Sequence, residues 1–145
     1  MRNFEVLPLK GVGEVRFGSS REEVIRLLGP WSSSAKRTPQ AVHPSDGWFN
    51  NGLQVYYSGQ QPSAEYIELS CGCGLEAICF GLPVFSTPAS KLIALLQDHA
   101  PFDTTDPELG FSYVVPSLEL SLWRPAIEGQ FFSTIGVGTN GYYSR

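Results

Sequence analysis

Basic side chains are scarce in this chain, and they are scattered. Ten Lys and Arg stand against fourteen Asp and Glu, for a net charge of −4, and no basic run exceeds Lys36-Arg37. A face that binds nucleic acid needs clustered cations to pair with phosphates, so no nucleic-acid partner is expected. Only three cysteines are present, Cys71, Cys73 and Cys79, too few for an even disulfide framework. The apolar runs are short and interrupted, so no membrane-spanning segment is expected. The first residues, MRNFEVLPLKGVGEVRF, contain no apolar stretch of signal-peptide length. Together with the unpaired cysteines, that points to reduced thiols and a cytoplasmic location.

What is present describes a folded chain. At 145 residues, 42% hydrophobic and 17% charged, the composition is that of one globular domain with a real core. Fifteen glycines, eleven prolines and eighteen aromatics suit strands joined by tight turns.

The chain reads as two copies of one unit. Residues 15–28, VRFGSSREEVIRLL, match residues 83–96, PVFSTPASKLIALL, at an offset of 68. Phe17 falls on Phe85, Ser19 on Thr87, Ile25 on Ile93, and Leu27-Leu28 on Leu95-Leu96. Ile67 and Leu69 fall on Ile135 and Val137 at the same offset, and Leu53, Val55 and Tyr57 on Leu118, Leu120 and Leu122 at 65. The expected domain, 1–145, is therefore a pair of repeats, about 13–80 and 81–140.

Each copy starts with a helix signal. Ser19-x-x-Glu22 is a capping-box pattern ahead of Val24, Leu27 and Leu28, with Gly29-Pro30 to stop the helix. In the second copy Thr87 is the expected cap, Pro88 the first helical residue, and Ala89 to Gln97 the helix. Alternating segments follow at 52–58, 64–70 and 75–80, then at 111–115, 118–123 and 131–138. The expected class is α+β: a duplicated helix-then-antiparallel-strands unit, with two short helices packed on antiparallel sheet. Two stretches read as loops in corresponding places, Trp31 to Asp46 and His99 to Gly110.

The segment GEVRFGSSREEVIRLLGP, residues 13–30, resembles the G-x-S-x-x-x-V-x-x-L-L-G-x-P helix of small bacterial proteins, among them the outer-membrane assembly lipoproteins (BamE/SmpA-like). That likeness is confined to the helix. No lipobox cysteine stands near Met1, so a lipoprotein role is not implied. The overall layout resembles a group of bacterial cytoplasmic proteins of this size. They share an FG-x-S-R-E-E-V helix (Phe17 to Val24), a G-L-x-V-x-Y strand (Gly52 to Tyr57) and an ending like Gly141-Tyr142-Tyr143. Small acidic proteins of this kind look like immunity partners of bacterial toxins. The resemblance implies a non-enzymatic role with a protein partner.

Catalytic signatures are thin. Cys71-Gly72-Cys73-Gly74 offers two thiols one residue apart, short of the four ligands of a zinc site, so neither metal nor cofactor is expected. His43 and His99 are the only histidines, and no nucleophile elbow accompanies them. The Gly-x-Gly patterns at 11–13, 72–74 and 136–138 lack the helix start that a phosphate site needs. Glu65 and Glu68, three apart on a strand, are expected on opposite faces and make a poor acid–base pair. Trp31, Trp48, Phe49, Tyr56, Tyr57, Trp123, Tyr142 and Tyr143 exceed what two short helices can cover. Trp31 and Trp48 flank the first loop, where aromatics make good partner contacts. Asp103, Asp106 and Glu108 give the second loop the charge to meet a basic partner.

The reading is thus an immunity protein that occludes a basic toxin active site with Asp103, Asp106, Glu108, Trp31 and Trp48. Two alternatives stand beside it: a small enzyme with a cleft between the repeats, using His43 or His99, and a homo-oligomer paired through sheet edges.

Overall fold

A computed structural model describes residues 1–144. The chain opens with a strand, β1 (Arg2–Leu7), followed by two-residue strands β2 (Gly11–Val12) and β3 (Val15–Arg16) and the helix α1 (Arg21–Leu28). Next come β4 (Ser33–Ala35), β5 (Ser45–Trp48), β6 (Leu53–Ser58) and β7 (Ser63–Ser70). The second half runs β8 (Leu75–Cys79), β9 (Leu82–Pro83), α2 (Ala89–His99), β10 (Ser112–Val115), β11 (Leu120–Trp123) and β12 (Thr134–Gly138). Two sheets result, one ordered β3-β2-β1-β8-β9 and the other β10-β11-β12-β7-β6-β5-β4.

The expected α+β class is overturned. The chain is mostly β, 37% strand against 17% helix, in sheets of five and seven strands. The five-stranded sheet is not purely antiparallel, because β1 and β8 pair in parallel from Arg2↔Leu75 to Val6↔Cys79. The reason lies in the strands that reading from the helices passes over. β1 alternates Phe4 and Val6 inward with Asn3 and Glu5 outward, and its partner lies 73 residues away, beyond any local pattern. β5, Ser-Asp-Gly-Trp, carries no apolar alternation at all. It is held by pairing to β6 and by the burial of Asp46 and Trp48.

The helix positions agree with the sequence, but the cap does not. Ser20, not Ser19, is the N-cap of α1, and its side chain accepts from the Glu23 amide. Glu23 turns to Arg26 instead of back to the cap. In α2 the N-cap is Pro88, with no side-chain cap, and the Ala89 amide donates to the carbonyl of Gln130.

The seven-stranded sheet is built around β7 and β12. Ile67 pairs with Val137, Leu69 with Ile135, and Glu68 with Gly136. Exchanging the strands by the 68-residue offset leaves these pairs unchanged, so a local two-fold passes between Glu68 and Gly136. The neighbours correct one sequence match. Leu53 pairs with Leu69 as Leu120 does with Val137, which sets Leu53 against Leu120 and Val55 against Leu122. Leu118 sits in the 3-10 turn Pro116–Leu118. A two-residue slip preserves the buried face, which is why the sequence could not resolve it.

One buried cluster joins both sheets and both helices. It includes Phe4 and Val6 of β1, Val55 and Leu69, Leu120 and Ile135, Val24 of α1, and Leu92 and Leu96 of α2. Among the described residues no buried side-chain polar atom lacks a partner. No helix there is long and apolar enough to cross a membrane.

Candidate functional site

The polar groups inside the protein do structural work. Asp46 is buried and accepts from Arg21 Nε at 2.8 Å, from the second Arg21 nitrogen at 3.0 Å and from the Tyr57 hydroxyl at 2.9 Å. Burial alone would raise its pKa, but the hydrogen bonds from Arg21, Ser34 and Tyr57 outweigh it, and the carboxyl titrates below its ordinary range. This cluster ties the first turn of α1 to β5 and β6. Glu76 accepts from the Phe85 amide and the Ser86 hydroxyl and so fastens β8 to the approach to α2. Glu119 accepts from the Gly141 and Tyr143 amides, both at 2.8 Å, and folds the C-terminal turn back over the sheet.

That turn covers the outer face of the seven-stranded sheet. Tyr142 stacks on Tyr66, ring centroids 4.5 Å apart, and Tyr56 leans on Tyr66 at 5.5 Å. The Tyr143 hydroxyl lies 2.8 Å from that of Ser121. Gly136 and Gly138 are required here: a Cβ on the first would run into the Tyr66 ring and on the second into Tyr142. The Gly-x-Gly pattern at 136–138 is therefore a bed for tyrosines.

Beside the tyrosines lies a pocket of about 530 Å³, lined by Arg37, Val42, His43, Tyr56, Glu65 and Tyr142 among others. The Arg37 guanidinium sits 5.1 Å from the Tyr56 ring centroid. Glu68 is raised above its ordinary pKa by burial, which Arg37 partly offsets. Glu65 and Glu68 do not separate to opposite faces as their spacing suggests. The register shifts between Tyr56 and Tyr57, which face Tyr66 and Ala64, leaving Glu65 as the bulged residue. It lines the pocket that Tyr56 also borders. The pocket can hold a small molecule of mixed polarity.

The histidines do not meet. His43 lies in the pocket wall with a ring nitrogen on the Gly59 carbonyl, whereas His99 ends α2 and stacks on Phe80 at 3.8 Å. The pocket belongs chiefly to the first half, with Tyr142 from the second, so it is not the expected cleft between halves. Cys71 is exposed and Cys73 half-buried. Cys79 is buried, and burial pushes its thiol up to about 12. Among the described residues no three His, Cys, Asp or Glu side chains converge as a metal site would need.

The five residues expected at a partner surface fall into three situations. Trp48 is core, 3% exposed, and its indole N–H donates to the Gly29 carbonyl at 2.9 Å. It fastens the end of α1 and cannot meet a partner. Trp31 is 41% exposed, with the Arg21 guanidinium 4.6 Å from its ring. It precedes β4, one edge of the large sheet.

Asp103, Asp106 and Glu108 lie together on the loop before β10, the opposite edge. Six strand spacings, roughly 29 Å, separate those edges, so Trp31 and the acidic loop do not form one compact patch. The acidic loop is ordered by its own turns. Asp103 accepts from the Thr105 hydroxyl and amide, which holds it below the usual carboxylate range. Asp106 accepts from the Glu108 amide, and the Asp103 amide reaches Val114 of β10. Glu108 is exposed.

A second feature adjoins this loop, and of its residues the sequence had pointed only to Trp123, among the surplus aromatics. Leu109, Phe111, Trp123, Ile127 and Phe131 are each 36–50% exposed. A charge count along the chain would have pointed to the region. Residues 1–97 hold eight acidic and eight basic side chains, and 98–145 hold six acidic and two basic, Arg124 and Arg145. Arg124 is buried, and the whole net charge of −4 falls in the last third of the sequence. Comparison with protein-family models, curated proteins and solved structures gives no match to this chain.

Proposed function

We propose that the chain is a non-enzymatic binding protein of the bacterial cytoplasm, an immunity protein that neutralises a basic toxin domain by covering its active site. The observation that carries this reading is the segregation of charge along the chain: residues 1–97 are neutral overall, and residues 98–145 carry six carboxylates against two basic side chains, one of them the buried Arg124. Such a surface accelerates encounter with a basic partner through long-range attraction. The buried ionisable groups support the same reading, since Asp46, Glu76, Glu119 and Arg124 are each committed to holding backbone or side chains in place.

The test is co-expression with the product of the adjacent upstream gene. Growth arrest by that product alone, relief by this chain, and a stoichiometric complex of the two are the expected results. A chain that relieves nothing and turns over a small molecule contradicts the reading.

The pocket beside His43 favours a second reading, a small-molecule site with Arg37, His43 and Glu65 among its polar groups. Saturable binding there that disappears with His43→Ala and Tyr56→Ala, in a chain indifferent to the toxin, distinguishes it.

A further inference from the structure

We propose that the C-terminal end of β11 is a preformed docking platform for a basic protein surface that presents protruding apolar side chains. The inference rests on the binding reading above and supplies what that reading lacks, a surface that excludes water. Five of the large apolar side chains left exposed by folding fall within residues 109–131. On β11 itself Leu120 and Leu122 point into the core, while Trp123 faces outward and is 42% exposed. Leu109 and Phe111 lie in the turn before β10, and Ser112 pairs with Trp123. Ile127 and Phe131 lie in the connection between β11 and β12. Together they expose on the order of 400 Å², comparable with the largest apolar patch of a typical soluble monomer, which is often functional.

Arg124 makes the platform rigid. Its Nε donates to the Gly110 carbonyl at 2.9 Å and a terminal nitrogen to the Gly129 carbonyl at 2.8 Å. Its amide donates to Phe111, and the Ser133 amide donates to Trp123. The guanidinium also lies 5.5 Å from the Phe132 ring centroid and 5.9 Å from that of Tyr113. One buried cation therefore clamps both apolar loops to the end of β11, and Ile127 rests against Gly110. Little ordering entropy remains to be lost on docking.

The charge around the platform selects its occupant. Glu108 and Asp106 precede Leu109 and Glu128 follows Ile127, against one exposed base nearby among the described residues, Lys91 in the first turn of α2, whose Ala89 amide meets Gln130. A second copy of this chain would bring the same acidic rim to face its own, so self-association is disfavoured and a basic partner favoured.

The test uses the whole chain and two defined probes at physiological salt: an amphipathic 14-residue peptide of lysine and leucine, and a lysine homopolymer of equal charge. In an amide and indole NMR titration, the lysine–leucine peptide is expected to perturb residues 109–111, the Trp123 indole and 125–131. The homopolymer should bind at least tenfold more weakly. Trp123→Ser with Phe131→Ser should weaken the peptide at least tenfold, and Trp31→Ser should leave it within twofold. Should the double variant not fold, Phe131→Ser alone is expected to weaken binding several-fold.

Perturbations centred on Trp31 or Val42, or equal binding of the two probes, overturn the platform. So does a dimer in sedimentation that Trp123→Ser dissolves. If the platform variants relieve toxicity normally while Asp103→Asn with Asp106→Asn and Glu108→Gln slows association with the toxin, the platform fails and the immunity reading survives. If the platform binds the probe but no toxicity is relieved, the immunity reading alone fails.

Discussion

Replacing Asp46 with asparagine removes the charge at the point where α1, β5 and β6 are tied together. The carboxylate accepts two hydrogen bonds from Arg21 and one from Tyr57, and its own side chain has no solvent exposure. Breaking a buried ion pair from one side costs about 3–5 kcal/mol. Arg21 is 26% exposed and can turn partly to water, so the lower end applies, about 3 kcal/mol. For a chain of this length that lowers the midpoint of thermal unfolding by roughly 6–12 °C. The pH dependence supplies an independent check. Asp46 titrates below its unfolded value, so its contribution is complete above the ordinary carboxylate range and is lost as pH falls through the depressed folded value. Urea unfolding of wild type and Asp46→Asn should therefore show the full difference at pH 7 and a shrinking one in acid. A difference below about 1 kcal/mol, or one that persists unchanged where Asp46 is protonated, refutes the reasoning.

Two further outcomes follow from the buried surfaces. Gly136→Ala places a methyl group in the Tyr66 ring and should destabilise by about 2–3 kcal/mol. Tyr66→Leu in the same chain should make the two losses less than additive in a denaturation cycle. In the folded protein a thiol reagent should label exposed Cys71 quickly and leave buried Cys79 unmodified until denaturant is added. Replacing all three cysteines with serine should preserve partner binding.

Helix positions were legible because their signals are local: an apolar face, a preceding small polar residue, and Gly29-Pro30 or a change of pattern to stop them. The strands β6, β7, β11 and β12 were legible for the same reason, through alternation. β1 was not, because what makes it a strand in this fold is parallel pairing with β8 across 73 residues. β5 was not, because Asp46 becomes a core residue only when Arg21 and Tyr57 close around it. Trp48 looked like a loop aromatic, and its burial depends on the end of α1 arriving above it. The acidic loop could be placed from composition alone. The apolar platform next to it was legible only at Trp123, a surplus aromatic, because Phe111 and Phe131 have the same residue type as the core and differ only in which way the backbone turns them.

The measurement that bears most directly on the account is the association rate of this chain with the proposed toxin partner as a function of salt, for wild type and for Asp103→Asn with Asp106→Asn and Glu108→Gln. Wild-type association should slow as the Debye length contracts to about 10 Å at 0.1 M salt. The triple variant should associate roughly tenfold more slowly at low salt, depend less on salt, and dissociate at a nearly unchanged rate. An association rate indifferent both to salt and to the three substitutions contradicts the claim that the acidic second half is the face this protein presents.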